Sequence, residues 1–147
     1  MTVEKNKAFE FALRKIFTEQ FAIIEDAYKE NEELQLSLAF KFGASSTERT
    51  ITVISVFKFE VDKLPFLIIE AGCLFQISPD SWNELLQETG KKIVMPNGFI
   101  NHLTTLTVGT TRGILHSKTE NTPFNRFFIP TINITEQIKE DVEIEVV

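Results

Sequence analysis

The clearest pattern in the chain lies at residues 65–77, PFLIIEAGCLFQI, where one of two alternating faces is apolar throughout. That face carries Leu67, Ile69, Ala71, Cys73, Phe75 and Ile77. Such alternation predicts a β-strand across a hydrophobic core, in which burial of each larger side chain contributes roughly 1.5–3 kcal/mol. The other face is mixed but includes Phe66, Ile68 and Leu74. We therefore expect this strand to set the register of its neighbours.

Three further strands are predicted from similar patterns. Residues 9–24 form a long first strand, and a shift of parity near Lys15 indicates a β-bulge. Residues 34–42 alternate as a half-buried strand, while residues 50–60 are β-branched and aromatic on both faces. Short turns join the last three strands, so these form an antiparallel meander. Residues 25–33, EDAYKENEE, are charged and predict an exposed, mobile connection.

A short helix is predicted after the fourth strand. Ser78-Pro79-Asp80 supplies a capping residue, a proline at the first helical position and an acidic residue in the first turn. The helix carries Trp82 and is expected to end at Gly90.

A longer helix is predicted at residues 96–118, where apolar residues recur at intervals of three and four. Its threonines and glycines each disfavour an isolated helix by about 0.5–1 kcal/mol relative to alanine, so tertiary packing must hold it. Thr105, Gly109 and Gly113 form a stripe of small residues that suits close approach of another backbone.

Composition and charge place the chain among single α+β domains. Its 147 residues suffice for one core, and the single cysteine excludes an internal disulfide. The formal net charge of −6 argues against nucleic acid, which requires a basic surface to displace phosphate counterions. No run approaches the ~18 apolar residues of a membrane span, and the first residues have no signal-type apolar segment. We expect a cytoplasmic protein without membrane insertion.

Residues that could carry chemistry are few. His102 and His116 lie about 21 Å apart on the predicted helix, at 1.5 Å per residue, and cannot share a metal ion. Cys73 lies on the apolar face of its strand, as expected for a buried, inert thiol. Residues 89–92, TGKK, match only the end of a phosphate-binding loop, since Leu85 replaces its first glycine. The sequence therefore predicts no catalytic residue, no metal and no cofactor.

Five short motifs follow one another in an order typical of a known family. They are FALRKIFT at 11–18, LFQI at 74–77 after Gly72, IVMP at 93–96, RG at 112–113 and PTINI at 130–134. The first is similar to the opening strand of that family, and the second to the Gly-Gly-Ile-Phe-Ser-Ile that ends its fourth strand. The third is similar to the Ile-Leu-Phe-Pro that opens its long helix. The last two are similar to its Arg-Gly pair and its Pro-Val-Asn-Phe segment. Together they resemble the SecB family of bacterial export chaperones over most of the chain.

The resemblance implies both an architecture and an activity. The architecture is a four-stranded antiparallel sheet of Greek-key type with a long helix packed on one face, assembled as a homotetramer with the long helices between sheets. The activity is that of an ATP-independent holdase, which binds unfolded preproteins in hydrophobic grooves and delivers them to the SecA motor. The family's second long helix is reduced here to at most two turns at 134–140, followed by VEIEV.

The sequence does not decide whether SecA is a partner of this chain. The family's acidic contacts to SecA fall at positions that match Gln20 and Ile24, and its Leu-x-Glu falls at Phe66 and Ile68, so none of those carboxylates is present here.

A holdase requires apolar side chains outside the core, because it must contact many sequences without recognising any one of them. One candidate surface is residues 123–130, PFNRFFIP, which match the family's crossover loop; the other is the outward face of the fourth strand. The candidate client-binding residues are Phe124, Phe127, Phe128, Phe66, Ile68, Leu74 and Trp82. Adjacent residues in an extended loop point opposite ways, so we expect Phe124 and only one of the Phe127–Phe128 pair to contact client.

Two other functions are compatible with the sequence. A SecB-like adaptor dedicated to one client, such as an antitoxin, would bind selectively and without SecA delivery. An enzyme would lose turnover when Cys73, His102 or His116 is replaced.

Overall fold

The computed structural model describes residues 8–147, and its main element is a four-stranded antiparallel sheet. The strands are β1 (Phe11–Ile23), β2 (Leu34–Ser45), β3 (Thr50–Val61) and β4 (Leu64–Ile77). Their order is β1-β4-β3-β2, so β1 returns to lie beside the last strand of the β2-β3-β4 meander, as in a Greek key. The predicted α+β class and antiparallel sheet are confirmed.

Within residues 8–147, three α-helices and a small second sheet complete the fold. They are α1 (Pro79–Leu85), β5 (Lys92–Met95), α2 (Asn97–Thr119), α3 (Ile134–Gln137) and β6 (Val142–Glu145), with β5 and β6 paired antiparallel. The predicted long helix is confirmed, whereas the short helix ends at Leu85 rather than Gly90 because residues 86 and 92–95 become extended and Leu86 bridges to Ile93. Within residues 8–147, no helix has the length and apolar character needed to cross a membrane.

The core lies between α2 and one face of the sheet, which we name the inner face. The six β4 residues predicted to line it, from Leu67 to Ile77, are all buried. Ile51, Val53 and Phe57 of β3 are buried beside them, and Leu103 of α2 is buried as well. Cross-strand partners share a face of the sheet, so the β4 alternation fixes which side chains of β1 and β3 point inward.

β1 is interrupted twice along its pairing with β4. One register shift lies between Leu13 and Lys15, where the sequence predicts a bulge, and a second, not predicted, lies between Thr18 and Gln20. Each bulge changes the alternation, so Ile16 faces the same side as Leu13.

Threonines face the sheet along α2, against their helix propensity. Thr104, Thr107, Thr111 and Thr119 are buried. The hydroxyl groups of Thr107, Thr111 and Thr119 each donate to the carbonyl four residues earlier, at 2.9 Å. The Thr111 hydroxyl also lies 2.7 Å from that of Ser55 on β3. These three hydroxyls are hydrogen-bonded and can therefore be buried at little cost, whereas the buried Thr104 hydroxyl has no hydrogen-bond partner within residues 8–147.

The connection between β1 and β2 is not exposed throughout, which corrects the expectation for residues 25–33. Glu25–Ala27 forms a 3-10 turn, and Tyr28 after it is half-buried. The Tyr28 ring lies 4.9 Å from that of Phe66 and 5.8 Å from that of Phe124, between centroids. An aromatic ring inside this charged stretch anchors the connection to the core.

Gly72 on β4 is required by the close packing of the sheet. A Cβ atom at this position would lie 2.8 Å from the carbonyl oxygen of Val53 and 2.7 Å from Cζ of Phe17. We expect Gly72→Ala to destabilise the fold by about 1–3 kcal/mol, because the backbone oxygen cannot move aside as a flexible side chain can. The measurement is urea unfolding followed by circular dichroism.

Gly43→Ala is the matched control. Gly43 also lies in a strand, but its Cβ would meet only Thr52 Cβ, at 3.9 Å. The urea midpoint of Gly43→Ala should stay near that of the wild type. Equal losses of stability in Gly43→Ala and Gly72→Ala would contradict the steric explanation.

Candidate functional site

α2 covers only part of the inner face, because it packs mainly on β3 and β4, the two central strands. The inner-face residues of the outer strands therefore flank the helix. On β2 we name Leu36, Leu38, Phe40 and Phe42 the β2 strip, and all four are half-buried. On β1 we name Leu13 and Ile16 the β1 strip, and these are 51% and 49% exposed. The core thus continues to the surface on both sides of α2.

A groove of about 520 Å³ lies at one end of the β2 strip. Phe40 and Phe42 form one wall, and residues 136–142 form the other. The second wall carries three carboxylates, on Glu136, Glu140 and Asp141, and one ammonium group, on Lys139, so an apolar wall faces one that is acidic on balance.

The acidic wall is fixed to the start of α2 by hydrogen bonds. The side-chain amide of Asn97 donates to the carbonyl oxygen of Ile138 at 2.8 Å, and that of Asn101 donates to the same oxygen at 3.1 Å. The Asp141 carboxylate accepts from the backbone N–H of Asn97 at 2.8 Å. These bonds fix the position of the acidic wall relative to α2.

The crossover loop, residues 123–130, is attached to the middle of α2 by Arg112. The Arg112 guanidinium donates to the carbonyl oxygens of Ile129 and Pro130, both at 2.7 Å. At the other end of the loop, the hydroxyl group of Thr122 accepts from the N–H of Phe124 and caps a 3-10 turn. Both ends are therefore fixed, which determines where the phenylalanines of the loop point.

An aromatic cluster closes the core under the crossover loop. It consists of Tyr28, Phe59, Phe66, Phe124 and Phe127. Phe66 is its centre, with ring centroids 5.1 Å from Phe127 and 6.0 Å from Phe124. Arg126 lies over the rings of Tyr28 and Phe127 and donates to the Tyr28 hydroxyl at 2.8 Å. The cluster joins the connection after β1 to the crossover loop.

Four of the seven predicted client-binding residues are buried. Phe66, Phe124, Trp82 and Ile68 have almost no exposed surface, which corrects the expectation that they lie outside the core. Phe66 leaves the outer face because the register between β3 and β4 shifts next to it, after Phe59, and its ring turns into the aromatic cluster. Phe124 is turned into the same cluster by the capped 3-10 turn.

Trp82 and Ile68 are buried in different places. Trp82 lies on the face of α1 that packs on the core. Ile68 lies on the outer face of the sheet, as predicted. It is nevertheless buried, because its cross-strand neighbours Ala22 on β1 and Lys58 on β3 flank it on both sides.

Three of the predicted residues remain accessible to different degrees. Leu74 and Phe127 are half-buried, whereas Phe128 is 59% exposed. Phe127 points into the aromatic cluster, while the Phe128 ring stacks on His116 with the planes 17° apart. The two neighbours point in opposite directions, as expected for an extended loop, and Phe128 is the one at the surface.

The stripe of small residues lies on the face of α2 that is remote from the sheet. Thr105, Gly109 and Gly113 are exposed, and a Cβ at either glycine would meet no atom within 4 Å. Leu106 beside the stripe is 41% exposed. This face has room for another element to approach closely.

The sequence did not assign the β1 and β2 strips to a site. The alternation in β2 identified its apolar face, but the width of the helix above it carries no local signal. The other singled-out residues lie apart: Cys73 is buried, the His102 ring contacts Phe11, and His116 lies 14 residues further along α2. Within residues 8–147, no three His, Cys, Asp or Glu residues are grouped so that they could bind a metal ion.

Arg112 offers a test of how the crossover loop is held. We expect Arg112→Gln to lower the free energy of unfolding by about 1–3 kcal/mol, because two hydrogen bonds from a charged donor are lost. The measurement is urea unfolding, combined with limited proteolysis of the loop. Lys118→Gln removes a charge from the last turn of the same helix, where the ammonium group lies 5.6 Å from the centre of the Phe21 ring, and should lower stability by less than about 1 kcal/mol. If the crossover loop of Arg112→Gln is cleaved no faster than that of the wild type, Arg112 does not hold the loop.

Comparisons with known proteins give a partial structural likeness. No family model matches the chain, and no curated protein is significantly similar to it. Among solved structures, the chain is similar to a protein of unknown function from Streptococcus agalactiae, at 13% sequence identity and a TM-score of 0.40. The match covers 86% of this chain and 100% of the other.

Proposed function

We propose that the protein is a SecB-like holdase, which binds unfolded polypeptide segments without nucleotide and keeps them from aggregating. The observation that carries the proposal is the difference in width between α2 and the sheet. Since α2 covers mainly the two central strands, the β1 and β2 strips keep apolar side chains at the surface. A holdase requires such extended apolar surface, because it binds through burial of side chains rather than through one recognised sequence.

The distribution of charge supports the same function. Apolar strips on a protein surface promote self-association, and a net charge far from zero opposes it. This chain has a formal charge of −6, and the acidic wall of the groove lies directly beside Phe40 and Phe42. The empty protein can therefore expose its strips and still repel other copies in random orientations.

The proposal includes a role in protein export, performed in the cytoplasm, which the resemblance of the five motifs supports. Delivery of the client to SecA has no such support. On the outer face of the sheet, Gln20 and Ile68 stand where the family has acidic contacts to SecA. Lys41 and Lys58 lie nearby, and Lys41 forms an ion pair with Glu70 at 2.9 Å. This face favours the second candidate function, an adaptor dedicated to one client such as an antitoxin, acting without SecA.

The decisive experiment follows light scattering of two unrelated proteins diluted from denaturant. A general holdase suppresses aggregation of both proteins at near-equal molar ratio, and to the same extent with and without ATP. Suppression of neither protein contradicts the general holdase. If the chain protects a single antitoxin and nothing else, the dedicated adaptor is correct.

Phe128 tests whether the exposed part of the crossover loop contacts client. Phe128→Ser should weaken binding of an unfolded client by about 1–2 kcal/mol through lost apolar contact, while the midpoint of thermal unfolding stays nearly unchanged. Phe124→Ser is the matched comparison, since its ring is buried. It should destabilise the fold by about 3–5 kcal/mol. Titration calorimetry that finds equal client affinity for wild type and Phe128→Ser removes Phe128 from the site.

A homotetramer built on the remote face of α2 completes the proposal. Because a side chain at Gly109 meets nothing within one chain, Gly109→Leu should leave the subunit folded. Between packed helices, however, the added side chain costs about 1–3 kcal/mol and should reduce the tetramer to dimers. Gly109→Ala is the control and should remain tetrameric. Light scattering that shows Gly109→Leu as a tetramer at micromolar concentration places the interface elsewhere.

A further inference from the structure

The two edges of the main sheet differ in regularity. β1 is interrupted by two register shifts, and bulges are one of the ways in which proteins prevent pairing at an exposed edge. The pairing of β2 with β3 runs without a shift from Leu34–Val61 to Ser45–Thr50. β2 therefore presents the straighter edge, over most of its length.

The C-terminal residue shows which backbone groups of β2 point away from β3. The Val147 N–H donates to the Ala44 carbonyl oxygen at 3.0 Å, and Val146 forms a parallel bridge with Ala44. In a strand, the N–H and C=O of one residue point to the same side, and the side alternates from residue to residue. The residues that direct their N–H and C=O groups to the same edge as Ala44 are thus Leu36, Leu38, Phe40 and Phe42.

The outward-directed backbone groups belong to the same four residues as the β2 strip. One edge therefore combines a row of main-chain donors and acceptors with a row of half-buried apolar side chains on the inner face. The groove beside Phe40 and Phe42 continues this surface towards residues 136–142. At the far end, Val146 and Val147 already occupy the edge as an added segment, which demonstrates that its geometry accepts one.

We infer that the edge of β2 from Leu34 to Gly43 binds an extended segment of an unfolded client as an additional strand. This inference rests on the proposed function and names the contact through which it is performed. Main-chain hydrogen bonds give affinity that does not depend on sequence, and alternate apolar side chains of the client lie on the β2 strip. The client segment would lie on the same edge of β2 as Val146 and Val147, and it could run parallel or antiparallel to β2.

A second copy of this chain fits the same edge less well. If two β2 edges paired antiparallel about Leu38, Glu32 of one copy would lie opposite Ala44 of the other. That position is already occupied by the C-terminal segment, and the acidic wall of residues 136–142 is close to it. Like charges and a blocked position both oppose self-pairing, so the edge favours an unfolded client.

Amide hydrogen exchange, read by NMR on the full chain, tests the inference. The probe is reduced, carboxamidomethylated ribonuclease A, which cannot refold. With saturating probe, the amides of Leu36, Leu38 and Phe40 should exchange at least tenfold more slowly. The amides of Ser37 and Ala39 face β3 and should change little. Unchanged exchange at the first three amides while the probe is bound overturns the inference, as does equal protection on concentrating the protein alone, which would identify a second copy as the occupant.

A pair of variants separates backbone pairing from side-chain contact. Leu38→Pro removes one outward N–H and leaves the ladder with β3 intact, since proline is tolerated where the N–H of an edge strand faces solvent. Leu38→Val has a similar volume and keeps the N–H. By fluorescence anisotropy of labelled probe, the proline variant should bind at least tenfold more weakly than wild type, and the valine variant less than threefold. Equal affinity of the two variants overturns the inference.

Two further outcomes decide between this inference and the function beneath it. If Leu38→Pro does not fold, as judged by its circular dichroism, the exchange measurement on the wild type decides alone. If the wild-type protein binds no probe, both the proposed holdase function and the inferred binding of client as an additional strand are wrong. Binding with unprotected β2 amides removes only the added strand.

Discussion

The burial of one face of β4 is the constraint on which the rest of the structure depends. β4 pairs with β1 on one side and β3 on the other, so its alternation is transmitted in both directions through cross-strand pairs. Its six inner side chains are buried, and a slip by one residue would expose all of them. Gly72 serves the same strand on the outer face, where the ring of Phe17 and the backbone of β3 lie too close for a Cβ.

α2 illustrates how packing can override local preference. Its threonines disfavour an isolated helix, yet four of them are buried with the helix intact. Back-bonding of the hydroxyls to the preceding turn satisfies three of these groups, and Ser55 provides Thr111 with a partner on the sheet. The small volume of threonine also lets the helix lie close to β3 and β4. A close, narrow helix cannot at the same time cover β1 and β2.

Much of the fold could be predicted because strands and helices leave periodic patterns in one segment of sequence. The four strands, the first bulge and the long helix were all identified in this way. Phe66 was assigned to the wrong face because a single register shift after Phe59 reverses its direction, and a bulge of this kind leaves no mark in the alternation of β4. Residues 25–33 were predicted to be exposed because most of them are charged, whereas the aromatic partners that bury Tyr28 lie about 40 and 100 residues away in the sequence.

The candidate site could not be predicted because it arises from a relation between elements rather than from any motif. β2 alone reads as an ordinary half-buried strand, and only the position of α2 shows that Leu36, Leu38 and Phe40 are left at the surface. Each half-buried side chain gains only part of the roughly 1.5–3 kcal/mol available on full burial, so the strip contributes less to stability than the β4 face does. The acidic wall of the groove is fixed separately, by Asn97 and Asn101. Because the strip residues pack on the core with only part of their surface, a change in one of them costs less stability than a change on the β4 face, so this surface can vary more readily than the core.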